Sequence, residues 1–198
     1  MTTPDLPWAR MKQPDRTTCG PSSVVAARMM LDRSFADSVR QRDEVFGAEA
    51  LSTHRRATRA IDVAGRLQVP WPRRLGTPPW AVARELSVLS GPDLPARRYG
   101  WHLTVLGPGR GFDRALLGVD EHRPVALYVG NRWSPRHVVL AVSRAADDAL
   151  WVYDPARGQR VEVTRAAVLN RSLTFGRWDR LWFVVSPAPR ARARRTAA

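Results

Sequence analysis

The chain has 198 residues, 44% of them hydrophobic, with eight tryptophans, one cysteine and a formal charge of +14. That length can bury a core without staples, the apolar fraction excludes an unfolded chain, and a lone thiol excludes an internal disulfide or a zinc site built from several thiolates. The charge invites a nucleic-acid reading, yet of the 32 basic residues only Lys12 is lysine, which points to compositional arginine bias. The arginines are scattered apart from the Arg190–Arg195 tail, and no RNP-like strand or zinc finger is visible, so nucleic acid is not the expected partner.

In chain order, Met1–Trp8 has no apolar h-region and reads as part of a flexible segment over residues 1–11. No run approaches eighteen apolar residues, so the expectation is a cytoplasmic protein without a membrane segment. A first helix is predicted from Cys19 to Leu31, with Thr17 or Thr18 as its cap. Apolar spacing at Ala57, Ala60, Ile61, Ala64 and Leu67 predicts a second helix over 53–67. Trp71–Pro79 reads as a loop, and Trp80–Leu89 as a helix stopped by Gly91-Pro92.

The character then changes. A short strand is predicted over 99–106, a turn at Gly107–Gly111, and a short helix over 112–119 with Ala115, Leu116 and Val119 inward. Apolar, β-branched runs at 124–129, 137–142, 149–153 and 180–185 read as strands, with Asp147-Asp148 as a hairpin connection and a short helix near 164–169. Helices first and strands second give an α+β fold with N-terminal helices packed on a C-terminal antiparallel sheet. The Arg-rich residues 188–198 read as a disordered tail.

Cys19 stands at the mouth of the first helix, where unpaired N–H groups and the positive end of the helix dipole favour a thiolate, the nucleophilic form. Gly20 permits close approach, and Pro21 is tolerated in a first turn that needs no N–H. A free cysteine at a helix start is more often an inert core residue, so further partners decide the matter. His137 opens one strand and Asp154 closes the next; in a hairpin these become neighbours at one edge of the sheet. An imidazole there can take a thiol proton, and a carboxylate on its far nitrogen fixes the tautomer. Gln13 offers an amide N–H that can join the Cys19 N–H in holding an oxyanion.

The pattern Gln13…Cys19-Gly20-Pro21, a distant His137-Val-Val-Leu-Ala-Val and Trp151-Val-Tyr-Asp154-Pro155 resembles the C39-like branch of papain-like cysteine peptidases. The resemblance covers about 12–31 and 123–158 and implies a papain-like fold over residues 12–187. It implies a catalytic set of Cys19, His137, Asp154 and Gln13 acting on peptide or protein substrates, with no cofactor and no metal. The best-known members are fused to a peptide-exporting transporter; this chain has no such segment and looks more like the stand-alone forms. A transglutaminase-like acyltransferase, a deamidase or a non-catalytic binding module would share the same residues. The oligomeric state is left open.

Other candidates fare worse. His54, His102 and His122 lack a partner in sequence, and Asp120-Glu121-His122 reads as a solvated turn. Gly107–Gly111 lacks the Gly-Lys-Ser/Thr ending of a phosphate loop. Trp80, Trp151 and Trp182 fall in regular segments and read as core, whereas Trp133 and Trp178 sit in loops that can line a cleft.

Overall fold

The computed structural model describes residues 6–90, 94–120 and 123–188. Gly91-Pro92, Glu121-His122 and the arginine tail from 189 onward lie outside the described residues, as do residues 1–5. Four helices come first: α1 (Cys19–Leu31), α2 (Arg33–Gln41), α3 (Asp43–Ala57) and α4 (Pro79–Ser87). There follow β1 (Tyr99–Leu103), α5 (Pro108–Asp120), β2 (Val125–Gly130), β3 (Pro135–Ala146), β4 (Ala149–Asp154), β5 (Gln159–Thr164), α6 (Arg165–Leu169) and β6 (Arg180–Pro187). The strands form one sheet in the order β1-β6-β2-β3-β4-β5, and every neighbouring pair is antiparallel. This is an α+β architecture.

Strand alternation builds two cores. Tyr128, Val138, Leu140 and Tyr153 face α1, whose residues are buried almost all round. Leu127, Val139, Ala141 and Val152 face the opposite way, with Phe112, Ala115 and Leu116 of α5 and Val168 of α6. A helix buried on every side lies inside a fold, so α1 is the central helix. The helical layer is therefore not confined to the N-terminal half: α5 and α6 cover the second face of the sheet.

Several expectations need correction. The helix predicted over 53–67 lies further back, because Phe46, Ala50, Thr53, His54 and Ala57 form the buried stripe of α3. Thr58 ends it by donating to the His54 carbonyl at 2.7 Å. Asp62 then folds the chain over itself, accepting from the Ala64 and Arg66 N–H groups and pairing with Arg66 and Arg84. Leu67, read as inward, is 82% exposed. Gly107–Gly111 is no plain turn. Most of it opens α5, where a Cβ on Gly111 would lie 2.7 Å from Thr104 and one on Gly118 2.4 Å from Val125, so glycine lets this helix approach the sheet. The short β5 and the polar helix α2 have no counterpart in the sequence reading. Residues 6–11, expected to belong to a flexible segment, include the buried Leu6 and Met11 and a 3-10 turn over Trp8–Arg10. Among the described residues no helix is long and apolar enough to cross a membrane.

Candidate active site

The site gathers at one end of the sheet, and the chain segment leading to Cys19 is pinned there by β4. Tyr153 Oη donates to the Met11 carbonyl, the Trp8 ring tilts against Tyr153 at 5.2 Å, and Gln13 N–H donates to the Pro155 carbonyl at 2.8 Å. Gly158 makes this approach possible. Its φ is +65°, and a Cβ there would stand 2.8 Å from the Trp8 carbonyl oxygen.

From Gln13 the chain turns sharply. Asp15 Oδ1 accepts from the Thr17 N–H at 2.7 Å and the Thr17 hydroxyl at 2.8 Å, while the Thr18 hydroxyl donates to the Asp15 carbonyl at 3.1 Å. Thr18 is thus the N-cap by position, but neither threonine caps α1 with its side chain, contrary to expectation; both are spent on the turn. The first helical bond runs from Ser22 N–H to the Thr18 carbonyl at 2.8 Å. The N–H groups of Cys19 and Gly20 are therefore first-turn donors with no intrahelical acceptor, and Pro21 has none to lose.

Cys19 is 6% exposed, His137 8% and Asp154 2%. The β3–β4 register sets Leu140 opposite Tyr153, which leaves His137 diagonal to Asp154 at the last rungs. His137 Nε2 donates to Asp154 Oδ1 at 2.7 Å, and Cys19 lies near enough to act electrostatically on the ring. With Nε2 committed to the carboxylate, Nδ1 is the nitrogen left for the sulfur. By alternation His137 and Asp154 share the pleat of Val139 and Val152, which packs toward α5, whereas Cys19 packs on the α1 side. At the end of the ladder, where the β2–β3 pairing slips between Val129 and Gly130, the ring is within electrostatic reach of Cys19.

The electrostatics follow from that placement. Burial disfavours a charged His137 ring, but the Asp154 hydrogen bond and the adjacent Cys19 outweigh it and raise its pKa from 6.5 to about 9. Burial likewise opposes a charged Asp154, yet His137, the Ala156 N–H and Arg157 together hold its pKa below the ordinary carboxylate value. Asp154 Oδ1 also accepts from the Ala156 N–H at 2.9 Å, so one oxygen fixes both the imidazole and the turn after β4.

Gln13 is placed less simply. Its Nε2 donates to the Asp15 carbonyl at 2.6 Å, which commits one amide hydrogen and leaves the other. Two neighbours of Cys19 escaped sequence reasoning. Tyr128, read only as part of an apolar strand, is buried near Cys19; burial first, then Cys19, push its hydroxyl well above its ordinary pKa. Its Oη donates at 2.8 Å to the Thr77 carbonyl, and a Cβ on Gly20 would stand 3.2 Å from Thr77 Cβ. The 76–78 strap is thereby clamped against the start of α1, with His54 Nε2 3.3 Å from the Gly76 carbonyl oxygen at its other side. Nothing local in the sequence marks the contacts of Thr77 with Tyr128 and Gly20, each of which spans more than fifty residues.

The remaining expected residues take structural positions. His102 Nε2 lies 3.3 Å from Arg114, and Asp120 pairs with Arg144, so Asp120 is more than a solvated turn residue. Trp178 is half-buried in the α5-side core, whereas Trp133 is 71% exposed at the tip of the β2–β3 loop. That loop is fixed by Asn131: Oδ1 accepts from the Trp133 and Ser134 N–H groups, and its carbonyl accepts from Trp182 Nε1 at 2.8 Å. A cavity of about 280 Å³ lies among α1, α3 and α4, lined by Val24, Arg28, Glu49, Arg56 and Glu85, and the sulfur, imidazole and carboxylate lie outside it. Among the described residues no three His, Cys, Asp or Glu side chains gather as a metal ion would need.

No family model matches the chain, and no curated protein does. Among solved structures it is similar to the peptidase domain of Streptococcus ComA, a bifunctional ABC transporter involved in a quorum sensing pathway. The two are 11% identical with a TM-score of 0.44, over 89% of this chain and 96% of that domain.

Proposed function

We propose that this protein is a papain-like, cysteine-dependent hydrolase that cleaves peptide or amide bonds through a covalent acyl-enzyme. The observation that carries the reading is the buried imidazole bonded to the Asp154 carboxylate at 2.7 Å with Cys19 beside it. A ring so placed accepts the thiol proton and carries it near neutrality.

In this reading the Cys19 sulfur attacks the substrate carbonyl carbon. The carbonyl oxygen becomes an oxyanion against the Cys19 N–H, with the uncommitted amide hydrogen of Gln13 as second donor. His137 gives its proton to the leaving amine, the C–N bond breaks, and the acyl group stays on sulfur. Water then attacks the thioester, passes a proton to His137, and releases the acid and the thiol. Asp154 keeps Nε2–H bound throughout and so fixes which nitrogen faces the sulfur. The residues supply nucleophile, base and oxyanion donors themselves, and the reading invokes no cofactor.

The test is incubation of wild type and Cys19→Ala with a pool of unstructured peptides, with and without a primary amine, followed by mass analysis. Hydrolysis adds one water across a cut bond, and the Cys19→Ala protein gives none. Amine incorporation or deamidation in place of cleavage would assign the same acyl-enzyme to a transferase or deamidase. An inert wild-type protein whose Cys19 reacts with iodoacetamide no faster than a free thiol near pH 6 would reduce the site to a scaffold.

A further inference from the structure

The end of the sheet that holds Cys19 also carries a ring of cations. The segment before α1, the β2–β3 loop, the turn after β4 and the start of β6 meet there. Gln13 N–H bonds the Pro155 carbonyl, Asp179 N–H bonds the Gly130 carbonyl at 3.1 Å, and Gly130 pairs with Arg180. These segments carry Lys12, Arg16, Arg132 and Arg136, all exposed, and the half-buried Arg180, whose Nε is buried without a partner. Arg157 adds a sixth cation, 4.0 Å from Asp154 and bonded to the Thr174 carbonyl.

The carboxylates at this end do not balance them. Asp154 is buried on His137, the Asp15 carboxylate accepts from the Thr17 N–H and hydroxyl, and among the described residues Asp179 is the one other acid on these segments. Several arginines elsewhere have acids in reach, among them Arg28 with Asp32 and Glu49, Arg56 with Glu85, Arg84 with Asp62, Arg144 with Asp120 and Arg165 with Asp113, so what marks this end is that its cations ring Cys19. Among the described residues Arg157–Asp154 is the one ion pair that an arginine makes at the site end. Arg132 stacks at 4.2 Å on the exposed Trp133 ring, on a loop stiffened by Asn131, so its guanidinium is held in place rather than free to sweep. Arginine forks so held match carboxylates in a two-pronged geometry.

We propose that this rim binds an acidic polypeptide segment and that Lys12, Arg16, Arg132, Arg136 and Arg180 select substrates whose Asp or Glu residues flank the reacting bond. The proposal rests on the hydrolase reading in taking the bound segment to be a substrate and in preferring a polypeptide to a nucleic acid. A polypeptide fits better than nucleic acid because the rim surrounds a nucleophile suited to acyl groups, and Arg132 already covers one face of the exposed indole.

The experiment uses the full chain carrying Cys19→Ala and three fluorescein-labelled peptides of one length, rich in Glu, Gln or Lys, read by anisotropy. The Glu peptide is expected to bind at least about 10-fold more tightly than the Gln peptide, with the advantage shrinking steeply as salt rises. R132E/R136E is expected to abolish that advantage. R33E/R98E is expected to keep it, because Arg33 follows the far end of α1 and Arg98 precedes the far end of β1. Thermal melts check folding, and R132Q/R136Q replaces the reversal if the latter unfolds. Equal binding of Glu and Gln peptides overturns the proposal, as does equal loss in R33E/R98E, which would mark a general charge effect. A single-stranded oligonucleotide that outcompetes the Glu peptide and is weakened by R132E/R136E also overturns it, in favour of a nucleic-acid surface. Iodoacetamide alkylation of wild-type Cys19 reports on the hydrolase reading separately, so either can fail alone.

Discussion

Replacing Asp154 by asparagine separates the charge of this side chain from its geometry. Asp154 Oδ1 accepts from His137 Nε2 at 2.7 Å and from the Ala156 N–H at 2.9 Å, and an asparagine oxygen can accept both bonds. The negative charge is lost, and with it the pairing of Oδ2 with Arg157. In the wild type the ring rises from 6.5 to about 9 against the opposing effect of burial. That difference of about 2.5 corresponds to about 3 kcal/mol in favour of the imidazolium. An adjacent opposite charge ordinarily shifts a group by about 1–3 units, so the ring in Asp154→Asn is expected to titrate about 2 units lower, near 7. The stability consequence has a definite sign. A folded pKa above the unfolded one stabilises the protein fully below the unfolded value of about 6.5 and loses that contribution as pH rises through about 9. In Asp154→Asn the alkaline loss is expected to shrink to below about 1 kcal/mol and to be complete soon above about pH 7. The depressed Asp154 pKa works at the other end: its contribution is present above the ordinary value of 3.8 and is lost as pH falls through the folded one, and the variant lacks it. Proton NMR titration of the His137 ring, assigned by its absence in His137→Gln, measures the first effect. Urea unfolding across the pH range measures the second. A ring that still titrates near 9 in Asp154→Asn would refute the claim that this carboxylate holds the charge.

Other perturbations test the scaffold around the trio. Gly130→Ala would put a Cβ 2.1 Å from the Ser134 carbonyl oxygen, so the loop before His137 must open; a loss of about 1–3 kcal/mol is expected in denaturant melts, together with reduced turnover. Tyr128→Phe strands the buried Thr77 carbonyl, and a loss of about 1–3 kcal/mol is expected, with the 76–78 strap exchanging amide hydrogens faster. Gln13→Ala is expected to lower kcat by about 10- to 1000-fold while leaving the pH profile of Cys19 alkylation unchanged, because an oxyanion donor acts on the intermediate and not on the resting thiol. A Gln13→Ala protein with wild-type kcat would remove that side chain from the mechanism.

Sequence alone determined what local chemistry determines. The central helix was legible because Cys19–Leu31 is one unbroken apolar stretch behind a first turn that tolerates proline, and the strands β2, β3, β4 and β6 because their β-branched runs end in turn residues. The neighbourhood of His137 and Asp154 was legible for the same reason, since a tight hairpin at Asp147-Asp148 sets which strand ends meet. Tertiary structure decided the rest. Ala60, Ile61, Ala64 and Leu67 carry a good helical period, yet Asp62 gathers two N–H groups and two arginines and bends the chain away, a competition that periodicity does not encode. The short β5 exists because β4 offers it a ladder, and glycines 111 and 118 become helix because α5 must lie close to the sheet. Whether the imidazole reaches the sulfur depended on α1 settling on β3, where Ser23 lies 3.5 Å from the Val138 carbonyl oxygen, and on the ring standing at the end of its strand. Propensity acts over a few residues, whereas that meeting joins groups more than a hundred apart, so only packing of the whole chain could bring it about.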